Sequence, residues 1–409
     1  MGEFFQVGAA ETNITPAPGL PMDGYVARQG PSTGTHDPLM AQVLVLGIEE
    51  ARAALVTLDA LAVSASFADP LRARLAALLG TTPDAVMVCP SHTHCGPAGL
   101  QDWFPAGAAP ALDPTLTAMV GGRILAAAEE ALRRLAPARL VYGATEVTGI
   151  GGDRNQPGRV PERRVTALRF DRPDGSPTAL LFHYACHPTV LGPQTREHSA
   201  DFPGAARERL RATWPGTVCL YLNGAAGNIS PRYFRREQSF AEARRLGGLL
   251  AEGVVAALAR PQRAAARLSW RCQAVELPVR TFPTDAALPE PPAGSDRQAQ
   301  VRAEGIALQA QLSRFLGGRT TQRAGLCALR IGPWALVGVP GEPFRELAVA
   351  VRQRAPQALI VGYANDYVGY FPTQAAIEAR TYEALSSPYD ARAQAILQER
   401  IVRLLGEDW

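Results

Sequence analysis

Short runs of apolar and β-branched residues, each ending in a polar or glycine-rich loop, recur along this chain and alternate with segments of helical periodicity. Apolar runs of this length, bounded by such loops, are typical of buried β-strands. Because strands that alternate with helices are typical of α/β proteins, the sequence predicts an α/β fold. The predicted strands are residues 54–58, 86–89, 178–186, 218–222, 335–339 and 359–362.

Other segments indicate helices and antiparallel strand pairs. The predicted helices are residues 69–79, 114–135, 204–213, 239–258, 297–316, 343–354 and 391–405. The patterns of 141–147 with 166–170, and of 327–331 with 335–339, are those of antiparallel pairs. We therefore expect a mixed β-sheet core with flanking helices, and 409 residues are enough for one large domain.

Polar residues cluster just past the predicted strand ends, which is where open α/β sheets place their functional sites. One composition shift, rich in Pro, Asp and Glu, covers residues 281–294 and opens a predicted surface excursion that extends to about residue 325. The polar motifs resume at Glu342, and no internal repeat is visible. The sequence thus predicts one domain over residues 1–409, with its site at the strand ends.

Composition and charge exclude several functions. The net charge of +3 is too small to indicate a nucleic-acid partner, and the chain contains no lysine, which excludes Schiff-base lysine chemistry. Charged residues interrupt the alanine-rich run at 121–140, so no transmembrane segment is predicted. The N-terminus shows no secretory signal, and the six scattered cysteines are expected to be mostly small apolar residues. A cytoplasmic location is therefore predicted, although a processed secreted protein would look the same.

A His-x-His motif follows the predicted strand 86–89. In an extended segment, successive side chains alternate between the two faces, so His92 and His94 can project to the same side. One histidine could then hold a metal ion while the other transfers a proton or polarises a substrate. The alternative is an ordinary pair of loop histidines.

Three further residues after strand ends have side chains that bind metals. His187 and Glu342 offer the nitrogen and oxygen donors that suit zinc, whereas a phenolate such as that of Tyr370 is a less usual ligand. Each also has a structural alternative, because His187 could cap a strand, Glu342 could lie in the first turn of a helix, and Tyr370 could be a half-buried aromatic. Spacing alone does not show that they converge.

Over most of its length the chain resembles the catalytic domain of the neutral/alkaline, non-lysosomal ceramidase family. The resemblance depends on a set of short motifs that occur in the family's order. They are Gly8-Ala9-Ala10, Thr15-Pro16, Gly24-Tyr25, Gly34-Thr35-His36-Asp37-Pro38-Leu39, Ser91-His92-Thr93-His94-Cys95-Gly96-Pro97, Asp153-Arg154-Asn155, Ala185-Cys186-His187-Pro188-Thr189, Asp201-Phe202-Pro203-Gly204, Ala226-Gly227-Asn228-Ile229-Ser230-Pro231, Pro340-Gly341-Glu342, Asn365-Asp366-Tyr367-Val368-Gly369-Tyr370 and Thr381-Tyr382-Glu383.

The resemblance implies a zinc-dependent hydrolase that cleaves an N-acyl amide bond with a metal-activated water. One Zn²⁺ per chain would be bound by four residues, with Tyr370 preferred to Tyr367 because of its spacing to Tyr382. Ser230 matches the family's catalytic serine and would attack the substrate or orient the water. The implied ligands are His92, His187, Glu342 and Tyr370, and the implied catalytic residues are Ser230, His94, Arg154 and Tyr382.

The chain also departs from the family pattern. The characterised family type carries a C-terminal β-sandwich domain, which we do not expect in residues 1–409. We therefore expect a small-molecule N-acyl substrate that is smaller or more water-soluble than long-chain ceramide. Trp103 and Phe104 could line an acyl pocket or be ordinary packing residues. Two alternatives stay open, a metal hydrolase of another small amide or ester and a non-catalytic, metal-stabilised binding protein; the oligomeric state is not predicted.

Overall fold

The structure is a computed structural model and describes residues 3–103, 112–159, 163–282 and 297–406. The strands are β1 (Phe5–Asn13), β2 (Gly34–Thr35), β3 (Met40–Ile48), β4 (Ala51–Leu58), β5 (Val86–Pro90), β6 (Ala136–Glu146), β7 (Gly152–Asp153), β8 (Arg164–Asp171), β9 (Pro177–Tyr184), β10 (Glu197–His198), β11 (Val218–Asn223), β12 (Ile229–Ser230), β13 (Gln262–Ala264), β14 (Leu268–Pro278), β15 (Thr321–Ile331), β16 (Trp334–Gly338), β17 (Glu342–Pro343), β18 (Ala358–Val361) and β19 (Tyr370–Phe371). The helices are α1 (Ala65–Leu79), α2 (Pro114–Arg133), α3 (Asp201–Thr213), α4 (Phe240–Ala257), α5 (Arg297–Leu316), α6 (Arg345–Arg354), α7 (Gln374–Glu378), α8 (Tyr382–Leu385) and α9 (Ala391–Leu404).

The larger sheet is mixed and has the strand order β11-β9-β8-β6-β1-β3-β4-β5, with β13 paired to β6. Only β4 with β5 and β9 with β11 are parallel along this path. Every residue of β5 and of β11 is buried, which explains why these strands are continuous apolar runs rather than alternating ones.

A second, four-stranded sheet of order β14-β15-β16-β18 packs on one face of the larger sheet. Leu55 and Leu181 of the larger sheet belong to the same core cluster as Leu336 and Leu359 of the smaller one. Helices α1 to α4 cover the other face of the larger sheet, and α6 and α9 cover the outer face of the smaller one. The described residues therefore form four layers, α–β–β–α.

The predicted mixed α/β fold is confirmed, with one difference in its arrangement. The antiparallel pair at 327–331 and 335–339 forms, but in the second sheet rather than in a single central one. A run of apolar residues predicts a strand without indicating which sheet it joins, because both inner faces of stacked sheets are equally apolar.

The described part of the predicted surface excursion is less exposed than expected. Residues 283–296 lie outside the described residues, whereas α5 follows directly after them. Leu308, Leu312 and Leu316 of α5 are buried, the last two against the outer face of the second sheet. Helix α5 therefore belongs to the packed body of the protein.

Two of the six cysteines differ from expectation. Cys272 and Cys327 lie opposite each other on β14 and β15 and form a disulfide bond, whereas the other four are buried and free. Disulfides persist mainly in oxidising compartments, so this bond counts against a cytoplasmic location, which stays a prediction. None of the described helices is both long and apolar enough to cross a bilayer.

The larger sheet coils so that its two edge strands approach each other at their C-terminal ends. The Asn223 side-chain amide, at the end of β11, donates to the Ser91 carbonyl just past β5, at 3.2 Å. From the second sheet, the loop after β18 joins the same region, where the Asn365 amide nitrogen donates to the Val88 carbonyl at 2.8 Å. Loops from both sheets therefore meet at one place, which contains the site described next.

Candidate functional site

His92 is held rigidly just beyond β5. Its φ of 68° lies in the left-handed region that non-glycine residues rarely adopt, and such strain is typical of functional sites. Its Nδ1 lies 2.7 Å from the Leu61 carbonyl oxygen, and its ring stacks on Tyr363 with centroids 3.9 Å apart. These contacts fix the ring and direct Nε2 into the site.

His187 is fixed in a similar way, two residues after the start of the loop that follows β9. Its backbone amide donates to the Ile229 carbonyl at 2.9 Å, and its Nδ1 lies 2.7 Å from the Ala226 carbonyl oxygen. The side chain is fully buried. The glycine-rich turn after β11 thus supplies the acceptors that orient this ring.

Glu342 reaches the same point from the second sheet. It begins β17, directly after Gly341, whose φ of 149° and close approach to the Gly369 carbonyl leave no room for a side chain. The Glu342 Oε2 atom lies 3.0 Å from Nε2 of His187 and 3.5 Å from Nε2 of His92.

These three atoms form a cluster, and when Glu342 is ionised all three are hydrogen-bond acceptors. Burial raises the pKa of the Glu342 carboxyl, and a bound cation would hold it ionised. Because Nδ1 of each imidazole donates to a backbone carbonyl, Nε2 of His92 and of His187 carries a lone pair. Burial lowers the pKa of His92 to about 3 and that of His187 well below its usual value, so both rings are neutral. Nε2 of His187 and Oε2 of Glu342 have no hydrogen-bond partner. A cation between them would satisfy all three groups at once, so these residues fit a metal site.

His94 lies beside this cluster. Its Nε2 is 3.3 Å from Nε2 of His92, and ring nitrogens of His92, His94 and His187 all lie within 4.8 Å of one another. The ring is confined by Gly24, where a Cβ would come within 2.6 Å of it, and by Tyr25. His94, which was predicted to act on the substrate, is therefore close enough to be a metal ligand as well.

Two tyrosines contact the cluster in different ways. Tyr370 pairs with Glu342 in the short β17–β19 ladder, and its hydroxyl lies 3.3 Å from Nη2 of Arg154. The Tyr367 hydroxyl donates to Oε1 of Glu342 at 2.5 Å. Burial and the nearby Glu342 carboxylate raise the pKa of both phenols well above the usual value. Tyr367 thus orients Glu342, while the assignment of Tyr370 as a ligand stays a prediction.

Arg154 is anchored by three groups. Its Nε lies 2.5 Å from Oε1 of Glu383, and its Nη2 lies 2.7 Å from the Gly227 carbonyl oxygen and near the Tyr370 hydroxyl. Burial alone would lower the pKa of Arg154, but the charge of Glu383 raises it, so the group remains a fixed cation. Asn155 donates to the second oxygen of Glu383 at 2.9 Å.

Ser230 lies in the short β12 strand, which pairs with β7 and so places the serine opposite Gly152, two residues before Arg154. It is buried, and its Oγ lies 3.4 Å from the Arg232 amide nitrogen. Tyr382 begins α8, which Thr381 caps through its side chain. The rings of Tyr382 and Tyr370 are edge-to-face with centroids 6.3 Å apart.

Two adjoining cavities open at this site. The first, of about 690 Å³, is here named the apolar chamber; its walls include Met22, Leu61, Trp103 and Leu308. The second, of about 570 Å³, is named the arginine chamber; its walls include Arg154, Arg232, Arg235 and Arg380. The residues that line both are Gly24, Tyr25, Val26, His94, Tyr370 and Tyr382.

All eight predicted site residues meet here. Five line the apolar chamber, Ser230 and Arg154 line the arginine chamber, and His187 lies buried behind them with its Nε2 directed at Glu342. Trp103 both lines the apolar chamber and packs edge-to-face on Phe315, at 5.2 Å between centroids. Phe104 lies outside the described residues.

Sequence reasoning missed the roles of three residues that shape the site, one of which, Tyr367, it considered only as an alternative ligand to Tyr370. Tyr363 supports the ring of His92, Tyr367 orients Glu342, and Glu383 anchors Arg154. Glu383 is adjacent to Tyr382 in the chain, which was a usable signal. Tyr363 carried none, because stacking between distant residues is not visible in a sequence.

Comparison with known proteins gives one family. The family described as "Neutral/alkaline non-lysosomal ceramidase, N-terminal" matches residues 5–217. The neutral ceramidase of Pseudomonas aeruginosa is 24% identical over 488 aligned positions, which cover 97% of this chain and 71% of that protein. The crystal structure of neutral ceramidase from Pseudomonas aeruginosa has a similar fold, with a TM-score of 0.83 at 22% identity over 99% of this chain and 74% of that one. A ceramidase complexed with C2 has a TM-score of 0.81 at 20% identity, over 98% of this chain and 74% of that one.

Proposed function

The chain belongs to the neutral/alkaline non-lysosomal ceramidase family, and on that premise we propose that it is a zinc-dependent hydrolase that cleaves the amide bond of an N-acyl substrate. The relatives named as ceramidases support amide hydrolysis as the reaction class. The implied catalytic residues outside the zinc ligands support turnover rather than a closed structural site, because a structural zinc needs only its ligands. They are His94, Arg154, Ser230 and Tyr382.

One observation carries the proposal. Oε2 of Glu342 lies 3.0 Å from Nε2 of His187 and 3.5 Å from Nε2 of His92, although the ionised carboxylate and both ring nitrogens are acceptors. Buried acceptors facing one another are unfavourable unless a cation lies among them. The cluster borders a cavity large enough for a small molecule, which is how catalytic metal sites differ from structural ones.

His92, His187 and Glu342 would hold the zinc ion, with Tyr370 or His94 completing the set. Two nitrogen donors and a carboxylate suit zinc, and a bound zinc ion would polarise the amide carbonyl and activate a water molecule at neutral pH. The carbonyl contacts to Nδ1 of the two histidines keep their ligating nitrogens oriented.

The other residues would act directly on the substrate. The anchored guanidinium of Arg154 and the Tyr382 hydroxyl would stabilise the negative charge that develops on the carbonyl oxygen. His94 would transfer a proton to the leaving nitrogen, since its ring lines both chambers. Ser230, on the wall beside Arg154, would attack the carbonyl carbon or orient the water.

The two chambers would hold different parts of the substrate. An acyl chain would occupy the apolar chamber, where Met22, Leu61, Trp103 and Leu308 offer apolar walls. The scissile bond would then lie at His94, Tyr370 and Tyr382, where the two chambers meet. The amine part would occupy the arginine chamber.

The test combines metal analysis with hydrolysis of N-acyl substrates. We expect about one zinc per chain by elemental analysis, loss of hydrolysis on chelation and recovery with added zinc. His187→Ala should lose both the metal and the activity. His36→Ala is the matched control, because His36 is half-exposed and stacks on Phe240 away from the cluster.

The outcomes separate the alternatives. If the zinc-loaded protein hydrolyses esters but no N-acyl amide, it is a metal hydrolase of another small substrate. Zinc-loaded protein without turnover on either would indicate a metal-stabilised binding protein. Protein that contains no transition metal and is not activated by any would refute the proposal.

A further inference from the structure

The arginine chamber carries more positive charge than the proposed reaction requires. Four guanidinium groups and two carboxylates, Glu304 and Glu383, line it, and Glu383 pairs with Arg154. Among the described residues, Arg232, Arg235 and Arg380 form no ion pair with a carboxylate. Uncompensated guanidinium groups in a cavity are a recognition device for anions.

Arg232 and Arg235 lie in the loop that directly follows Ser230. The Arg232 amide contacts Ser230 Oγ, and its Nη1 lies 3.5 Å from the Arg154 carbonyl oxygen. The Arg235 side chain donates to the Thr189 carbonyl, in the loop that follows His187. Both side chains are partly buried, so little of their motion is left to be lost when a ligand binds.

Arg380, which is exposed, lines the same chamber from the turn between α7 and α8. Its φ of 49° lies in the left-handed region, and it directly precedes the Thr381 cap of the helix that begins with Tyr382. The turn that brings Tyr382 into the site therefore brings a third guanidinium into the same chamber.

Holding these charges together is unfavourable without a counterion. Burial, and then the positive charge of Arg154, lower the pKa of Arg232, and the Glu383 carboxylate offsets only part of this shift. An anion in the chamber would reverse both effects, because it would replace lost hydration and offset the repulsion between guanidinium groups.

We propose that the arginine chamber binds an oxyanion carried by the amine part of the substrate, so that the preferred substrate is an acidic N-acyl amine such as an N-acyl amino acid. The inference rests on the proposed amide hydrolysis. Water adds to the carbonyl carbon, the C–N bond breaks, the nitrogen takes a proton, and a fatty acid and an anionic amine leave. The apolar chamber takes the acyl chain, so the arginine chamber is available to the anionic amine part.

The test compares two amides that differ chiefly in charge. N-lauroylglycine and N-lauroylethanolamine share an acyl chain and have amine parts of similar size, but only the first carries a carboxylate. Hydrogen bonds to charged groups contribute about 1.5–3 kcal/mol, so we expect kcat/KM to favour N-lauroylglycine about 10- to 100-fold, mainly through KM. Arg232→Gln and Arg235→Gln should each reduce this ratio about tenfold.

Arg236→Gln is the matched control, because Arg236 is exposed, lies in the same loop and lines neither chamber. It should leave the ratio unchanged. A third substrate, N-lauroylethanolamine phosphate, carries a phosphate in place of the carboxylate of N-lauroylglycine. The acidic amide with the higher kcat/KM shows which of the two oxyanions the chamber prefers. Equal or faster hydrolysis of the neutral amide than of both acidic ones would overturn the inference and leave the proposed function intact.

A binding measurement separates the inference from turnover. Zinc-loaded Ser230→Ala protein, which should turn over too slowly to interfere, should bind N-lauroylglycine about tenfold more tightly than N-lauroylethanolamine by calorimetry, and adding Arg232→Gln should abolish the difference. If the metal-loaded protein hydrolyses no N-acyl amide while this difference is present, the proposed function fails and the anion subsite stands. Equal affinities for the two amides would refute the subsite.

Discussion

Oε2 of Glu342 lies 3.0 Å from Nε2 of His187, and neither atom has a hydrogen-bond partner. His187 follows a strand of the larger sheet, and Glu342 follows a strand of the smaller one. The contact therefore joins the two sheets at the site. It brings together two acceptors, both of which a cation between them would satisfy. The stacking of the sheets and the metal chemistry thus depend on the same pair of residues.

Ser230→Ala should retain zinc and fold but lose activity on an N-acyl substrate by about two orders of magnitude or more, the scale of one lost transition-state contact. Steady-state kinetics together with elemental analysis checks this. Ser176→Ala, in the turn between β8 and β9, is the control and should keep full activity. Normal turnover by a zinc-loaded Ser230→Ala protein would reduce Ser230 to a turn residue.

Acyl-chain length should have an optimum, because the apolar chamber has a limited volume of about 690 Å³. Each added CH₂ that is buried contributes about 0.8 kcal/mol until the chamber is full. We expect a short-chain N-acyl substrate to be hydrolysed faster than a long-chain ceramide presented in detergent. Leu308→Ala should move the optimum to longer chains by enlarging the chamber. A kcat/KM that rises steadily to long chains would instead favour ceramide itself.

Arg207→Met should destabilise the protein by about 3–5 kcal/mol, because it leaves Asp59 buried without its bidentate partner. Urea unfolding measures the change. Arg211→Met, one turn further along α3, removes a partly exposed pair with Glu11 and should cost about 0–1 kcal/mol. Equal effects of the two substitutions would show that burial of the Asp59 pair adds nothing.

Asp201→Asn should change how stability depends on pH. Burial raises the pKa of Asp201 from 3.8 to about 6 in the folded state, so the folded protein holds this proton more tightly than the unfolded chain does. The resulting stabilisation is complete below about pH 4 and is lost as the pH rises to about 6. The variant should therefore gain stability relative to the native protein across that window, by about 3 kcal/mol at most.

The measurement is the free energy of unfolding of both proteins from pH 4 to 7. Asparagine tolerates the φ of 54° at this position, so the substitution adds little backbone strain. Asp23, whose pKa burial also raises to about 6, titrates in both proteins and cancels in the difference. A difference that is constant with pH would contradict the assigned shift.

The strands and helices were largely predictable because they depend on local patterns. Buried strands such as β5 and β11 are continuous apolar runs, and α2 begins at the Pro114 that follows its Asp113 cap. The Cys272–Cys327 bond and the burial of α5 were not predictable, since both depend on which strands become neighbours. The pairing of distant segments carries no local signature.

By itself the sequence determined the type of the longer helices and of several central strands, although not of β1, β3 or β14, together with the mixed α/β fold class. Through ordered motifs it also determined the family and the residue types available for chemistry. The tertiary structure alone decided that His92, His187 and Glu342 face one another, that Tyr367 and Glu383 hold their neighbours in place, and that four arginines share a chamber with Ser230. The physical reason is that local propensity acts over a few residues. The distances within a site are set instead by the coiling of one sheet and the packing of a second sheet against it.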